Sequence, residues 1–300
     1  MVLKKEENNE MRILIKGAGD LATGIAYELW EAGHEVVMTE IPIPLAVRRM
    51  VSFSRAVYEG EAQVEKAKAV LVSNLEEIDL EVENGNIPVL VDKKAKIIGE
   101  YLPDVLVDAI MAKRNLGTSI QDAPLVIGIG PGFHAGKDCH YVIETLRGDE
   151  LGRIITEGTA APNTGIPGEV GGYTRERLVS ASADGIMEPL VQIGDLVQKG
   201  QIVAKTGGIS VTAKMSGIVR GMLQKGVEVK KGLKIGDIDA RPDRRNCFLI
   251  SDKARIIGKS VCSIVETKKI KEHKKKRSSV VSDDLFSLLC ILSKCPVVLF

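Results

Sequence analysis

The stretch Met11-Arg-Ile-Leu-Ile-Lys-Gly17-Ala-Gly19-Asp-Leu-Ala22-Thr-Gly24 joins a short apolar run to a glycine turn and then to a helical pattern. Its spacing matches G-x-G-x-x-A, a variant of the dinucleotide-binding fingerprint. In that pattern Gly17 makes the turn, Gly19 lets the backbone approach a pyrophosphate, and Ala22 allows close helix–strand packing. The amide groups at the start of the helix would then point at the anion.

The flanking sequence extends this junction into a β-strand–helix–β-strand unit. We predict a strand over Arg12–Lys16, a helix over Leu21–Ala32 and a second strand over Glu35–Thr39. Glu40 follows the second strand, at the position where an acidic side chain accepts from a ribose hydroxyl. Asp20 is unexpected, because a carboxylate repels a phosphate. We interpret Asp20 as a helix cap or as the ligand of a metal that bridges to phosphate.

A second glycine junction reads Pro124-Leu-Val-Ile-Gly-Ile-Gly130-Pro131-Gly132-Phe133. Pro131 fixes its own φ and has no amide donor, so it shapes the loop and does not contact an anion. Two such junctions in one chain indicate a phosphorylated ligand, most simply a nucleotide or a dinucleotide. Gly130 and Gly132 are therefore candidate ligand-binding positions.

Charged residues near this junction allow more than one interpretation. Lys113 and Arg114 follow a predicted strand over Val105–Ile110, where they would either neutralise phosphates or lie in a solvated loop. A helix predicted over residues 138–146 places His140 and Glu144 on one face, which suits a metal or acid–base site or a charged surface helix. We favour the surface helix and predict no metal site.

Composition narrows the class of protein. The 300 residues are 44% hydrophobic and 4% aromatic, which suits a sheet buried by Val, Ile, Leu and Ala. With 41 Lys+Arg against 40 Asp+Glu, we expect no nucleic-acid partner. Five cysteines without a CxxC pair indicate a reduced, cytoplasmic protein without structural zinc. The charged start of the chain does not resemble a signal peptide, and no membrane partner is expected.

A repeat with an offset of 32 residues marks the C-terminal half, where Asp184–Gly200 matches Ser216–Gly232. Short strands duplicated once predict a small β barrel-sandwich resembling biotinyl and lipoyl carrier domains. Lys214 precedes Met215, as in a carrier lysine motif. The repeat nevertheless pairs Lys214 with Ser182, outside the hairpin tip, so we do not expect covalent attachment.

The predicted fold class is therefore α/β, with an N-terminal Rossmann-like parallel sheet followed by the barrel-sandwich. The predicted boundaries are a disordered leader at 1–10, the α/β domain at 11–156, a Gly/Pro-rich linker at 157–178, the repeat domain at 179–267, and a tail at 268–300. That tail is basic and then apolar. A sequence artefact such as a frameshift is favoured over a buried strand or a membrane-surface tail.

Six longer motifs stand out along the chain: Gly17-Ala-Gly-Asp-Leu-Ala-Thr-Gly24, Pro44-Leu-Ala-Val-Arg-Arg49, Asp122-Ala-Pro-Leu-Val-Ile-Gly-Ile-Gly-Pro-Gly-Phe133, Val142-Ile-Glu-Thr145, Pro162-Asn-Thr-Gly-Ile-Pro-Gly168 and Lys234-Ile-Gly-Asp-Ile-Asp239. Together they resemble the YqeB family of the selenium-dependent molybdenum hydroxylase system. The resemblance covers about residues 11–264. It implies a cytoplasmic accessory protein that helps to mature a molybdenum hydroxylase, with that enzyme or other maturation proteins as partners. It does not supply catalytic residues, and the basic and apolar tail departs from it.

The two glycine loops and the family resemblance together indicate a cofactor. Molybdenum hydroxylases of bacteria commonly use a pterin dinucleotide, whose pyrophosphate would suit the two glycine loops. We expect the chain to bind either this molybdopterin dinucleotide or another nucleotide such as NAD(P). One alternative is an NAD(P)-dependent oxidoreductase, although no Tyr-x-x-x-Lys motif stands out. Another is a non-catalytic scaffold that docks the hydroxylase through the repeat region.

Overall fold

A computed structural model describes residues 10–163, 165, 169–241 and 243–270. Most of the predicted leader and of the predicted tail lies outside the described residues, as does part of the predicted linker. The chain divides into two compact units. The described part of one unit is residues 263–270, which are helical, and the other unit is residues 10–262.

The largest feature of this unit is a nine-stranded sheet in the order β10-β9-β7-β6-β1-β2-β5-β4-β3. A two-stranded sheet pairs β8 with β11. These eleven strands are β1 (Arg12–Lys16), β2 (Glu35–Glu40), β3 (Glu61–Val64), β4 (Ala67–Val72), β5 (Ile87–Val91), β6 (Val105–Asp108), β7 (Leu125–Ile129), β8 (His134–Ala135), β9 (Tyr141–Ile143), β10 (Ile154–Ile155) and β11 (Gly158–Thr159).

Helices are few and short in this half of the chain. They are α1 (Asp20–Glu31), α2 (Ala56–Glu59), α3 (Leu75–Glu83) and α4 (Ile98–Tyr101). Residues 252–262 near the C-terminus are also helical and cross α1 closely. A Cβ atom on Gly24 of α1 would lie 2.6 Å from the Cβ of Ala254, so only glycine fits there. This crossing places the start of the C-terminal helix beside the start of α1.

The prediction of a Rossmann-like parallel sheet is wrong, because the observed sheet contains both parallel and antiparallel pairs. Strands β3 and β10 pair antiparallel with β4 and β9 at its two edges. The β3–β4 hairpin forms because Glu65 adopts a φ of +52° in the turn, a conformation that sequence pattern alone does not reveal. Moreover, none of the described residues between β6 and β9 forms a helix, so these parallel strands lack the helical crossovers of that fold.

The helix predicted over residues 138–146 is also wrong. Gly136 has a φ of +83°, which turns the chain back, and residues 141–143 form β9 beside β7. The backbone N–H of Val126 on β7 donates to Nδ1 of His140 at 3.0 Å. That bond and the parallel ladder hold the segment extended. His140 and Glu144 therefore share no helix face.

The C-terminal half forms two four-stranded sheets, in the orders β12-β19-β17-β14 and β16-β15-β13-β18. Each strand of the first repeat recurs about 32 residues later, and the two sheets each mix strands of both repeats. The strands are β12 (Leu178–Ser180), β13 (Gly185–Pro189), β14 (Leu196–Val197), β15 (Ile202–Thr206), β16 (Ile209–Thr212), β17 (Gly217–Met222), β18 (Glu228–Val229) and β19 (Lys234–Asp239).

These sheets do not form the separate carrier-like barrel-sandwich module that was predicted to follow a Rossmann-like sheet. The N–H of Met222 on β17 donates to the carbonyl of Val47 at 2.7 Å. A Cβ on Gly221 would lie 2.8 Å from the same carbonyl oxygen. Residues far apart in sequence thus cover one of the two sheets within a single compact unit. The repeat predicts the strands but contains no information about what covers them.

Candidate functional site

The candidate site lies at the carboxyl ends of the parallel strands, beside β1. At this strand the chain connections switch from one side of the sheet to the other. From β1 the chain passes through α1 to β2 on one side, whereas β6 lies on the other side of β1. In open α/β sheets ligands bind outside the carboxyl ends of the strands at such a point. The first glycine loop, residues 17–19, lies at this position.

The two glycines of this loop have different surroundings. Gly17 has a φ of +92°, and a Cβ there would lie 3.1 Å from the carbonyl oxygen of Ala109 after β6. Gly19 has an ordinary φ of −72°, and a Cβ there would meet no atom within 4 Å. Gly17 is therefore required for the turn and for close packing on β6. Gly19 instead faces open space at the N-terminus of α1, which no side chain caps.

Glu40 closes the loop from the end of β2. Its Oε2 accepts the N–H of Ala18 at 2.9 Å and its Oε1 accepts the N–H of Ile41 at 2.7 Å. Burial raises the pKa of Glu40, and these two backbone hydrogen bonds oppose that rise. The carboxylate thus fixes the loop and still has a second lone pair on each oxygen for a hydroxyl donor.

Asp20 pairs with a cation from the same chain. The Nη1 of Arg48 donates to both carboxylate oxygens of Asp20, at 3.0 and 2.8 Å. The Nη2 of Arg48 donates to the carbonyls of Asn246 and Leu249, each at 3.2 Å. Asp20 is therefore neutralised at the first turn of α1, so its charge is a smaller obstacle to a nearby anion than the sequence suggests.

Lys253 is a half-buried cation near this loop that sequence reasoning did not identify. Burial lowers its pKa, and the charge of Arg147 lowers it further, while the carboxylates of Asp20 and Glu144 raise it. Among the described residues, the ammonium group of Lys253 forms no ion pair within 4 Å. A free cation at the start of the C-terminal helix, close to the uncapped end of α1, suits an anionic ligand.

The second glycine loop packs against the segment that follows β6. A Cβ on Gly132 would lie 2.5 Å from the backbone nitrogen of Arg114 and 2.8 Å from the carbonyl carbon of Lys113. Gly130 lies against the side chain of Thr145, whose Oγ1 would be 2.8 Å from an added Cβ. The structure thus brings Gly130, Gly132, Lys113 and Arg114 into one packed loop cluster.

A buried polar triad lies beneath the first glycine loop and was not found from sequence. The ammonium of Lys16, at the end of β1, lies 3.4 Å from Oδ2 of Asp108, at the end of β6. The hydroxyl of Thr118 accepts from Lys16 at 2.5 Å and donates to Asp108 at 2.6 Å. Because both charges are almost fully enclosed, this triad fixes the carboxyl ends of the two strands that flank the direction change.

The remaining predicted positions have structural roles. Ala22 is buried on the inner side of α1. Glu144 is buried and accepts backbone N–H groups from Thr145, Leu146 and Ala161, each at 2.7 Å, so it holds two loops together. Within the described part of the chain no three His, Cys, Asp or Glu side chains are grouped as metal ligands would be.

Comparison with known proteins identifies a relative over most of the chain. No family model matches the sequence. The uncharacterized protein YqeB of Escherichia coli (strain K12) is 44% identical over 261 residues, or 87% of this chain. The match supports membership of the YqeB family. The chain spans about half the length of this curated relative, 48% of it.

Solved structures add only distant similarity. An aspartoacylase family protein from Mesorhizobium loti is 11% identical with a TM-score of 0.26, covering 78% of this chain and 86% of that chain. The ectoine utilization protein EutE (DoeB) from Ruegeria pomeroyi is 13% identical with a TM-score of 0.25, covering 77% and 86%. Separately, no helix among the described residues combines the length and apolar character needed to cross a membrane.

Proposed function

We propose that this YqeB-family chain is an accessory protein in the maturation of a selenium-dependent molybdenum hydroxylase. In this role it binds a nucleotide or the pterin dinucleotide of the molybdenum cofactor at the first glycine loop. The motifs shared with the family support the accessory role. The open side of Gly19 beside the uncapped N-terminus of α1 is the observation that carries the binding proposal.

The groups around this opening complement a phosphate. The first amides of α1 have no intrahelical acceptors, and the positive end of the helix dipole points the same way. Lys253 adds a cation that is not neutralised by a direct ion pair among the described residues. Glu40 holds the Ala18 amide in place, which keeps the loop in one conformation before the ligand arrives. A preformed loop binds more tightly because less entropy is lost on binding.

Replacement of Gly19 by valine is expected to abolish ligand binding without unfolding the protein. The new side chain enters open space at an ordinary φ, so it fills the position that a phosphate would occupy. Equilibrium binding of nucleotides to both proteins is the measurement. Gly99→Val is the matched control, because Gly99 also has free space around its Cβ position but lies on α4, away from the loop. A Gly19→Val variant that binds as tightly as Gly99→Val excludes this loop as the site.

Replacement of Lys253 by methionine is expected to weaken anion binding and to remove part of the alkaline pH dependence of stability. Because burial lowers the pKa of Lys253, the unfolded chain keeps this proton to higher pH than the folded chain. Between the lowered pKa and about 10.4 the unfolded state therefore binds more protons, and stability rises with pH. Urea titrations at pH 8–10.5 measure this rise, which should be smaller in Lys253→Met. An unchanged profile together with unchanged binding contradicts the role of Lys253.

The same loop also suits an NAD(P)-dependent oxidoreductase, which stands as an alternative. That reading requires a catalytic group facing a nicotinamide ring, and no Tyr-x-x-x-Lys motif supplies one. Reduction of NAD(P) by the purified protein with a small substrate would favour it over the accessory role.

A scaffold that docks the hydroxylase is favoured by one observation in the repeat region. Ile186 on β13 and Leu190, directly after β13, are half exposed. Their counterparts 32 residues later, Ile218 and Met222, are buried, and the segment around Val47 covers that sheet. One of two equivalent faces thus exposes these two apolar side chains, with the exposed Glu188 between them, and is uncovered by the described residues. Purified protein that carries no small molecule and still binds the hydroxylase would favour this function.

A further inference from the structure

A cleft of about 620 Å³ lies beside β14, at one edge of the sheet β12-β19-β17-β14. Residues 196–199, Gln201, Ser216 and Gly217 line this β14 cleft. Its volume is within the range of known ligand sites, about 300–1,000 Å³. The cleft is broad and open to solvent, whereas pockets for small molecules enclose most of the ligand. Its shape therefore suits a stretch of polypeptide.

The outer edge of β14 pairs with no strand among the described residues. β14 is the last strand of its sheet, and only β17 pairs with it. The carbonyl of Asp195 accepts the N–H of Val219 on β17 at 2.9 Å. Val197 is paired with Gly217 of the same strand. Because the backbone groups of an antiparallel strand alternate in direction, the N–H and C=O of Leu196 point to the outer side, where they are available to an added strand.

The internal repeat supplies a comparison for this edge. β18 is the counterpart of β14, 32 residues later, and it is also the last strand of its sheet. Its exposed residue is Glu228, whereas the same position of β14 is Leu196, which is 79% exposed. A charged side chain on an edge strand prevents pairing with another chain. The β18 edge is therefore protected, while the β14 edge offers an apolar side chain beside unpaired backbone groups.

Charge differs between the two edges in the same way. Beside β18, Asp184 accepts the N–H of Lys231 at 2.8 Å and forms an ion pair with the lysine before it. Beside β14, the counterpart of Asp184 is Ser216, whose neutral hydroxyl accepts the N–H of Lys199 at 2.9 Å. The described residues that line the cleft include no acid, and Asp195, which precedes them, accepts an N–H of its own turn. Within the described ranges the ammonium of Lys199 forms no ion pair, so the cleft complements a carboxylate.

We propose that the β14 cleft binds an extended segment of a partner protein, one that carries a carboxylate side chain next to apolar residues. The segment adds a strand to the outer edge of β14, pairs with the backbone of Leu196 and covers its side chain, while its carboxylate pairs with Lys199. A second copy of this chain is less suitable, because it would bring another Lys199 to the same edge. This surface is independent of ligand binding at the first glycine loop, since it uses none of that loop's residues.

The test selects random heptapeptides, displayed on phage, for binding to the full chain. We expect the selected sequences to combine Asp or Glu with apolar residues. Synthetic peptides from the selection should bind Leu196→Glu, which gives β14 the charge that β18 carries, about tenfold or more weakly, in line with the loss of a buried leucine contact. They should bind Lys199→Gln about two- to fivefold more weakly, as for an exposed ion pair.

Leu190→Glu is the matched control, because Leu190 is 53% exposed but does not line the cleft, and this variant should keep the full affinity. The Tm of Leu196→Glu should stay near that of the unmodified chain, since the side chain is exposed. The proposal is overturned if no peptide is enriched, if the enriched peptides lack acidic residues, or if all of them bind Leu196→Glu as tightly as the unmodified chain. A dimer of the full chain that dissociates in Leu196→Glu also overturns it, because a second copy would then cover the edge.

Discussion

Gly132→Ala is expected to lower the free energy of unfolding by about 3 kcal/mol. The residue has a φ of +114°, a conformation that costs an alanine roughly 1–2 kcal/mol. The new methyl group would also lie 2.5 Å from the backbone nitrogen of Arg114, and overpacking of this kind costs about 1–3 kcal/mol. The opposing backbone cannot move freely, because Met111 and Lys113 already adopt positive φ values of +63° and +62°.

Gly136→Ala is the matched control for this prediction. Gly136 has a similar left-handed conformation, with a φ of +83°, but an added Cβ there meets no atom within 4 Å. It should therefore show only the conformational cost, roughly 1–2 kcal/mol. Urea denaturation of both variants gives the comparison. If Gly132→Ala loses no more stability than Gly136→Ala, the close packing of the second glycine loop on residues 113–114 is not rigid.

Asp108→Ala is expected to have a comparable or larger effect, a loss of about 3–5 kcal/mol. The substitution leaves the ammonium of Lys16, which is 6% exposed, without its counterion, and it removes the acceptor of the Thr118 hydroxyl. The cost arises mainly from the uncompensated buried charge and only in part from the lost contact. Chemical denaturation measures it directly.

The double variant Lys16→Met/Asp108→Ala tests that explanation. Removal of both charges eliminates the uncompensated ion, so the double variant should be more stable than Asp108→Ala alone. Glu150→Gln, which breaks an exposed ion pair with Arg153, serves as the control and should change stability little. A double variant that is less stable than the single one would show that Lys16 contributes through contacts other than this pair.

Local sequence patterns predicted the elements around the first glycine loop well. The strand over Arg12–Lys16 is observed with those bounds, and the helix and second strand are shifted by no more than one residue. These elements follow from short-range periodicity and glycine placement, which are properties of neighbouring residues. The mixed character of the sheet was harder to predict from sequence. Its antiparallel β3–β4 hairpin depends on a non-glycine residue, Glu65, in a left-handed conformation.

The site was only partly predictable for a related reason. Gly17, Gly19 and Glu40 belong to one strand–helix–strand unit, and their spacing predicts a loop at the end of a strand. The groups that determine its chemistry come from distant segments, as when Arg48 pairs with Asp20 and Lys253 approaches from the C-terminal helix. The Lys16–Asp108–Thr118 triad likewise joins residues up to 102 positions apart. No periodic pattern identifies such contacts in a single sequence.

Mass spectrometry of small molecules released from the full chain, purified without oxygen, shows whether the first glycine loop binds a phosphorylated compound. We expect such a compound, a pterin dinucleotide or another nucleotide, in the unmodified protein and in Gly99→Val, and its absence from Gly19→Val. The same compound at equal occupancy in Gly19→Val, or no phosphorylated compound in any of the three proteins, would contradict it.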